Sequence, residues 1–211
     1  MTAELIQGSP EWLAARVGKV TASRISDAVA KTKNGWGTSR ANYMAELIAE
    51  TLTGQPYPQY QSVEMRRGTE VEPDARRAYE FMADASVEQV GFISHPSIAM
   101  SGASPDGVVG DDGLVEIKCP NTATHIDTLL GANLDGAYIT QMQWQMACTG
   151  RAWCDFISYD PRLPAHLALF VKRTARDDKR IAELETMVKE FIDELTTKVA
   201  ALSAINQGKG Q

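Results

Sequence analysis

The sequence lacks long apolar runs, and this lack argues against a membrane protein. None of its 211 residues belongs to an uninterrupted stretch of roughly eighteen apolar residues, the length that marks a candidate membrane-spanning helix. The first residues, MTAELIQGSPEW, have neither a basic start nor an apolar run, so they do not resemble a secretion signal. We therefore expect a soluble, cytoplasmic protein without a membrane partner.

Cysteine and histidine are also scarce, with three residues of each type. The cysteines, at positions 119, 148 and 154, include no Cys-x-x-Cys pair, and their odd number suits a reducing compartment. The histidines, at positions 95, 125 and 166, match no metal-ligand spacing. These patterns argue against a structural zinc site, and a chain of this length can bury a single core without disulfide or metal support.

Positive charge is in deficit, because the formal net charge is -6. A uniformly acidic surface would repel nucleic acid, since phosphate contacts need Lys and Arg. The charge is unevenly distributed, however: residues 1–45 carry six Lys and Arg against three Asp and Glu. That surplus suits either a basic wall facing a phosphate backbone or ordinary solvated helix charges, so charge alone does not decide the function.

Apolar periodicity, capping residues and turn residues predict the order of elements as helices, strands, a helix, strands and a helix. Helices are predicted from Ser9 to Gly18, from Thr21 through Val29, from Thr38 or Ser39 to Gly54, in RRGTEVEPDARRAYEFM, from about Asp135 to Cys148, and from Asp177 onward. Strands are predicted in VEQVGFISH, IAMSGASPDGVVG, LVEIKC, WCDFISYD and HLALFVK.

This order predicts an α/β fold, with a central mixed β-sheet flanked by helices rather than a doubly wound sheet. The first three β-rich runs are expected to form the sheet core. The segment KTKNGWGTS is expected to be a mobile loop, because Gly and Asn favour turns. Residues 1–205 are expected to form a single domain, with a polar end that frays after Leu202 and a disordered tail at 206–211.

The segment SPDGVVGDDGLVEIKCP, residues 104–120, contains the most informative spacing. Glu116 and Lys118 lie two apart on a predicted strand, so they share a face while Ile117 points into the core, and a hairpin brings Asp106 alongside them. Two carboxylates and the Ile117 carbonyl are hard oxygen ligands of the kind Mg²⁺ prefers, and Lys118 could orient or deprotonate an attacking water. The arrangement suits phosphodiester hydrolysis without a covalent intermediate. Alone, the pattern also suits a surface ion pair beside a turn.

Flanking residues make the pattern more specific. The motifs are W-x-x-x-R-x-G-x-x-T-A-S at 12–23, G-x-x-x-E-x-D-A-R at 68–76, SPDG at 104–107, EIKCP at 116–120, Y-x-x-Q at 138–141 and YDPR at 159–162. In this order they resemble phage lambda exonuclease and its YqaJ-like relatives, within the PD-(D/E)xK nuclease superfamily. The resemblance covers most of the chain and implies a restriction-endonuclease-like core.

The resemblance implies a role for each residue that matches its motifs. Asp106 and Glu116 are expected to bind metal with the carbonyl of Ile117, and Lys118 is expected to be the catalytic lysine. Glu72, rather than Glu70, matches the helix acid that approaches a second metal ion. The expected cofactor is Mg²⁺ in a two-metal site, with Mn²⁺ as a substitute.

The same resemblance implies a pocket for a terminal 5′ phosphate, formed by Arg16, Ser23, Ser104 and Gln141, where a guanidinium fork and neutral donors suit a dianion. From the residues alone, the two serines could instead cap local backbone, and Gln141 could face solvent.

Other residues are expected to contact the duplex. Met65 lies where the family places an apolar wedge that separates the strands, although a methionine fills core gaps equally well. Arg40 and the KTKNGWG segment, including Lys33, are expected to bind the DNA backbone.

The implied activity is that of a metal-dependent 5′ to 3′ exonuclease, which degrades the 5′-phosphorylated strand of linear double-stranded DNA and releases mononucleotides. The resemblance further implies a homotrimer ring, a phage-type single-strand annealing protein as partner, and a phage or prophage origin. The alternatives are a structure-specific endonuclease on the same fold and a catalytically silent DNA-binding module. No recognition insertion favours the endonuclease, and a silent module would be free to lose Asp106, Glu116 and Lys118.

Overall fold

The computed structural model describes residues 6–205, with the exception of residues 34, 59 and 132. The helices are α1 (Pro10–Arg16), α2 (Ile25–Ala28), α3 (Thr38–Thr53), α4 (Val63–Ala83), α5 (Thr122–Leu129), α6 (Gly136–Thr149) and α7 (Asp178–Ala204). The strands are β1 (Val20–Thr21), β2 (Lys31–Thr32), β3 (Gly35–Trp36), β4 (Val87–Glu88), β5 (Ile93–Ser94), β6 (Ser101–Ala103), β7 (Gly107–Val109), β8 (Gly113–Lys118), β9 (Trp153–Tyr159) and β10 (Leu169–Ala175). Among these helices, none combines the length and the apolar character needed to cross a bilayer.

A five-stranded mixed sheet, ordered β10-β9-β8-β7-β4, lies at the centre. Strand β8 pairs antiparallel with β7 and parallel with β9, so it has a neighbour on each side. The predicted mixed α/β fold is therefore confirmed. Glu116 and Lys118 lie at the end of β8, beyond its ladder with β7, where they pair with Phe156 and Ser158 of β9.

A second, three-stranded sheet has the order β1-β6-β5, and two of the predicted β-rich runs each contribute one strand to it. One run contributes β4 to the large sheet and β5 to the small one, and the next contributes β6 to the small sheet and β7 to the large one. The prediction that these runs form one sheet core is therefore wrong. Pro105 lies between β6 and β7, where its missing N–H favours the end of a ladder.

Helices α6 and α7 supply much of the apolar core. Five apolar residues recur along one face of α7 and are buried, namely Ile181, Leu184, Val188, Phe191 and Leu195, whereas Leu202 near its end is 43% exposed. Trp144 of α6 is also fully buried, and its indole N–H donates to Ser101 at 3.1 Å. Gly54 and Gly150 end α3 and α6 in left-handed conformations, and the predicted end of α3 at Gly54 is confirmed.

Several predicted boundaries need correction. The supposed loop KTKNGWGTS contains a short hairpin of β2 and β3, in which Lys31 lies over the Trp36 ring at 4.8 Å. Helix α4 begins at Val63, earlier than predicted, because Ser62 caps it by accepting from the N–H of Met65. Helix α5 was not predicted, and α7 continues past Leu202 to Ala204. The predicted tail at 206–211 lies outside the described residues.

Candidate active site

A hairpin of β7 and β8 brings Asp106 beside Glu116. The register pairs Gly107 with Val115, and the Asp106 carboxylate accepts a hydrogen bond from the N–H of Ile117 at 2.7 Å. A Cβ on Gly107 would overlap the Val87 side chain and approach Glu88 O to 3.2 Å. Glycine is therefore required directly after Asp106, which explains this part of the SPDG motif.

Glu116 is the most extensively bonded carboxylate of the site and is 1% exposed. Its Oε1 lies 2.5 Å from the ammonium of Lys118 and accepts from the Gln141 amide at 2.7 Å. Its Oε2 accepts from the Gln145 amide at 2.5 Å. The strand spacing correctly predicted that Glu116 and Lys118 share a face, but Gln145 was missed. Its position four residues after Gln141, on the same helix face, was the available signal.

Helix α4 places Glu72 close enough to Glu116 and Lys118 to interact with both charges. Burial raises the pKa of Glu72, with a further contribution from Glu116 that opposes the lowering effect of Arg76. The Arg76 guanidinium holds Glu72 at 2.7 Å. Glu70 is exposed, whereas Glu72 is half-buried, so the structure favours the residue that the family motif selects.

The site concentrates negative charge where water is scarce. Burial, together with the charges of Glu116 and Glu72, holds the pKa of Asp106 well above its usual value. Burial alone would lower the pKa of Lys118, but Glu116 and Asp106 outweigh it and hold that pKa above the usual range. Buried carboxylates that oppose one another's ionisation suit a site completed by a cation.

The residues present fit a magnesium ion. Within the described parts of the chain, no group of three or more His, Cys, Asp or Glu side chains could hold a metal ion by itself. Mg²⁺ does not require such a group, because it keeps several waters and is usually bound through one or two carboxylates. Asp106 and Glu116 supply that pair, whereas ligation by the Ile117 carbonyl and by Glu72 stays a prediction, as does a second metal.

A cavity of about 170 Å³ opens over these carboxylates. All four residues predicted to bind a 5′ phosphate contribute to its wall, together with the three predicted catalytic residues of the hairpin. The lining comprises Gln7, Trp12, Arg16, Thr21, Ala22, Ser23, Ser104, Asp106, Glu116, Lys118 and Gln141. The structure thus brings together two sets of residues that lie far apart in the sequence.

Arg16 has an unusual environment within this wall. Among the described residues, none accepts a hydrogen bond from its guanidinium, whose carbon lies 3.8 Å from the centroid of the Trp12 ring. Burial lowers the pKa of Arg16. A partly buried cation that lacks a protein acceptor is suited to an anionic ligand.

The neutral members of the pocket are oriented by neighbouring side chains. Trp12 donates its indole N–H to the hydroxyl of Ser104 at 2.9 Å, and the hydroxyls of Ser23 and Thr21 lie 3.4 Å apart. Gln141 lines the cavity and donates a hydrogen bond to Glu116, so its side chain points toward the site. Sequence reasoning missed Trp12 and Thr21 as site residues, although both belong to the first motif.

A larger cavity of about 460 Å³ adjoins the first and shares Trp12, Arg16 and Thr21 with it. Lys19 and Arg24 add positive charge to its wall, and Tyr57 adds an aromatic surface. Glu46 and Glu50 line the same wall, and Arg24 pairs with Glu46 at 2.8 Å, so acids offset part of this positive charge.

The three predicted duplex contacts differ in their surroundings. Arg40 is 5% exposed, lies 2.7 Å from Glu194 and packs over the rings of Trp36 and Phe191. Its assignment as a duplex contact is therefore corrected, because its guanidinium is buried and forms an ion pair with Glu194 of α7. Lys33 is exposed in the turn of the β2–β3 hairpin, and Met65 is 58% exposed rather than filling a core gap. Their DNA contacts stay predictions.

The YDPR motif forms a buried ionic junction beside the site. The Asp160 carboxylate has no exposed surface and accepts hydrogen bonds from Arg67, Thr122 and Arg162. Arg67, on α4, also donates to the carbonyl of Pro120 at 3.1 Å. The junction joins α4 to the chain that follows β8.

Comparison with known proteins agrees with this arrangement. Residues 11–152 match the model of the YqaJ-like viral recombinase domain. Two solved structures of LHK-Exo, an alkaline exonuclease from Laribacter hongkongensis, share 53% and 54% of their residues with this chain, and one of them contains dAMP. Their TM-scores are 0.87 and 0.86, and the alignments cover 93% of this chain and 97% of theirs.

A more distant likeness supports the fold alone. A phage-related exonuclease from Haemophilus somnus 129PT is 14% identical, with a TM-score of 0.63 over 85% of this chain and 96% of its own. No curated protein matches the sequence. On the family model and the two structures from L. hongkongensis, the chain belongs to the YqaJ-like viral recombinase family, among the alkaline exonucleases, and has the PD-(D/E)xK type of fold that its motifs predicted.

Proposed function

We propose that this protein is a metal-dependent 5′ to 3′ exonuclease that degrades the 5′-phosphorylated strand of linear double-stranded DNA. The observation that carries the proposal is the shared cavity, in which Arg16, Ser23, Ser104 and Gln141 lie in one wall with Asp106, Glu116 and Lys118. A strand whose terminal phosphate binds the first set would have its first internal phosphodiester near the second. This arrangement suits an enzyme that acts from an end.

The phosphate-binding set has the chemistry that a terminal dianion requires. The guanidinium of Arg16 donates no hydrogen bond to any described residue and is therefore free to bind an anion. The hydroxyls of Ser23 and Ser104 are neutral donors in the same wall. Gln141 donates to Glu116 here and can turn its amide toward a bound phosphate. Charge-assisted hydrogen bonds of this kind are stronger than neutral ones, so a 5′ phosphate should be preferred over a 5′ hydroxyl.

The hydrolytic set would act with a divalent cation, Mg²⁺ or Mn²⁺, held by Asp106 and Glu116, with the Ile117 carbonyl and Glu72 as further candidate ligands. When bound, such an ion polarises the phosphate and lowers the pKa of water. Lys118 would orient the attacking water and offset the charge that develops on the phosphate. Its ammonium contacts Glu116 at 2.5 Å, and both residues line the cavity.

The wider assembly is proposed from family resemblance. It comprises a homotrimer ring around the duplex, Met65 as the wedge, Lys33 as a backbone contact, and transfer of the remaining 3′ strand to a phage-type single-strand annealing protein in the cytoplasm of a bacterial host. The dAMP in the related structure from L. hongkongensis is a mononucleotide, the product class that we propose for this chain.

The test is digestion of linear duplex DNA that carries a 5′ phosphate or a 5′ hydroxyl and is labelled on either strand, with Mg²⁺ or EDTA. A closed circle serves as the control. Metal-dependent loss of the 5′-phosphorylated strand, with the circle spared, is expected. Cutting of the circle would instead favour a structure-specific endonuclease, and binding without cutting would favour a silent DNA-binding module.

A paired variant tests the pocket itself. Arg16→Gln should slow the degradation of 5′-phosphorylated ends much more than that of 5′-hydroxyl ends. Equal losses on both ends would refute the assignment of the phosphate pocket while leaving the exonuclease activity intact.

A further inference from the structure

Helix α6 presents two glutamines to Glu116 from successive turns. Gln141 donates to Oε1 at 2.7 Å, whereas Gln145 donates to Oε2 at 2.5 Å. The two amides therefore hold different oxygens of one carboxylate. Because Lys118 also lies on Oε1, at 2.5 Å, Gln145 is the donor that fixes the other oxygen.

The two glutamines differ in access to the cavity. Gln141 is half-buried and lines it, whereas Gln145 is 0% exposed. The amide oxygen of Gln145 lies 3.9 Å from the Cys154 sulfur on β9, within reach of its S–H. Gln145 is thus held between the helix and the sheet, and it meets the carboxylate from the protein interior.

A neutral donor has a specific advantage at this position. A buried carboxylate oxygen without a hydrogen bond would be costly, by about 1–3 kcal/mol, and the carboxyl group would be free to rotate. A second cation would satisfy that oxygen, but it would also cancel the charge that a metal ion needs. The amide of Gln145 fixes the orientation of Glu116 and leaves its charge unchanged.

We propose that Gln145 is a positioning residue that orients Glu116 for a divalent cation. Gln141 is thereby released for the phosphate, because Gln145 and Lys118 still satisfy both Glu116 oxygens when Gln141 turns away. This inference rests on the proposed metal-dependent hydrolysis. It assigns the two glutamines of one helix face to separate tasks, one facing the metal ligand and one facing the substrate.

The test measures Mn²⁺ binding to the full-length protein without DNA, by the electron paramagnetic resonance of free Mn²⁺. Gln145→Leu removes the donor, and Gln145→Met does so with an unbranched side chain if the leucine variant folds poorly. Both should bind Mn²⁺ about 10- to 100-fold more weakly than the wild type, the range typical of lost support to a metal ligand. Higher metal concentrations should restore turnover, and KM for DNA ends should stay within about twofold.

Gln143→Leu is the matched control on the same helix. Gln143 is also buried, but its amide donates to Ala175 O at 2.8 Å and accepts from the N–H of Asp177, away from Glu116. This variant should lower the melting temperature and keep the Mn²⁺ affinity. Wild-type affinity in both Gln145 variants, or an equal loss in Gln143→Leu, would overturn the positioning role.

The outcomes separate this inference from the proposed function. If the wild type binds Mn²⁺ and degrades DNA ends while the Gln145 variants bind the ion equally well, only the positioning role fails. If the wild type neither binds Mn²⁺ nor degrades ends with Mg²⁺, the proposed function fails and the inference fails with it.

Discussion

The guanidinium carbon of Arg16 lies 3.8 Å from the centroid of the Trp12 ring. The same indole donates its N–H to the Ser104 hydroxyl at 2.9 Å. One aromatic side chain thus contacts two of the four residues proposed to bind the terminal phosphate. Arg16 is its neighbour on the same helix, whereas Ser104 lies far away in the sequence. The tryptophan of the first motif consequently has a role in the pocket that composition alone does not reveal.

Replacement of Trp12 should weaken the preference for a 5′ phosphate in two steps. Trp12→Phe keeps an aromatic face for Arg16 and removes only the donor to Ser104, whereas Trp12→Leu removes both. A cation–π contact contributes about 0.5–2 kcal/mol, so the leucine variant should lose about 2- to 30-fold of the phosphate preference beyond the phenylalanine variant. The ratio of kcat/KM on 5′-phosphate and 5′-hydroxyl ends measures this. Equal ratios in the two variants would show that the ring does not orient Arg16.

Removal of the Lys118 ammonium should abolish turnover while leaving the binding of DNA ends largely intact. Lys118→Ala deletes a charge 2.5 Å from Glu116, in the lining of the cavity, and should reduce kcat by on the order of 10² to 10⁴. Single-turnover digestion and a gel-shift assay in Ca²⁺ measure the two properties. Lys172→Ala, at an exposed position of β10, is the control. Equal loss of binding and turnover would mark Lys118 as structural.

The convergence of Asp106, Glu116 and Lys118 was predictable because strand alternation and hairpin geometry follow from local sequence. The approach of Arg16, Ser23 and Gln141 was not, since it depends on α1 and α6 packing near the same strand. Family motifs, rather than periodicity, selected those residues. Gln145 escaped notice because its spacing of four residues from Gln141 was the only signal, and that spacing does not name the carboxylate that it meets.

Two errors share a physical cause: in each, the stabilising contact joins residues that lie far apart in the sequence. Helix α5, TATHIDTL, has many β-branched residues, yet its buried His125 bonds Ser158 and the carbonyl of Leu167. Arg40 belongs to a cluster of N-terminal cations that suggested a DNA surface, but α7 supplies Glu194 to it. The partners of His125 and of Arg40 are distant in the sequence, so local composition could not predict these contacts.

The Asp160 junction should make stability depend on pH. Burial alone would raise the pKa of Asp160, but hydrogen bonds from Arg162 and Thr122 outweigh it and hold the pKa well below the usual 3.8. The folded-state pKa lies below the unfolded one, so the carboxylate stabilises the fold above about pH 4, and this contribution disappears as the pH falls toward the folded-state pKa.

Asp160→Asn tests this dependence. At pH 7 it should lower the free energy of unfolding by about 1–3 kcal/mol, and the melting temperature by about 2–12 °C. The difference from the wild type should shrink as the pH falls below about 4, because the carboxylate of the unfolded wild type then becomes protonated while that of the folded protein stays ionised. Calorimetry across this range measures it, with Asp193→Asn at an exposed site of α7 as control. A difference that stays constant with pH would contradict an ionic role.

Arg40 and Lys33 should separate stability from DNA binding. Arg40→Ala leaves Glu194 with Lys198 as its remaining cation and empties the space beside the Trp36 and Phe191 rings, so we expect a loss of about 1–3 kcal/mol in unfolding free energy. Lys33→Ala should leave the melting temperature unchanged, weaken DNA binding and reduce the salt dependence by about one phosphate contact. Thermal unfolding and salt-dependent binding assays measure both. The reverse result would restore Arg40 as a duplex contact.

Met65 should matter only where two strands must part. It is 58% exposed in the first turn of α4, where Ser62 fixes the backbone by accepting from its N–H at 3.1 Å. Met65→Ala should therefore leave the fold intact and slow the degradation of fully paired duplex, because separating a base-pair step costs a few kcal/mol that an apolar wedge offsets. A substrate whose first pairs are mismatched should be degraded at nearly the wild-type rate. Met82→Ala, 53% exposed near the other end of α4, should behave as wild type on both substrates. Equal slowing on paired and mismatched ends would show that Met65 contributes to DNA binding in general rather than to strand separation.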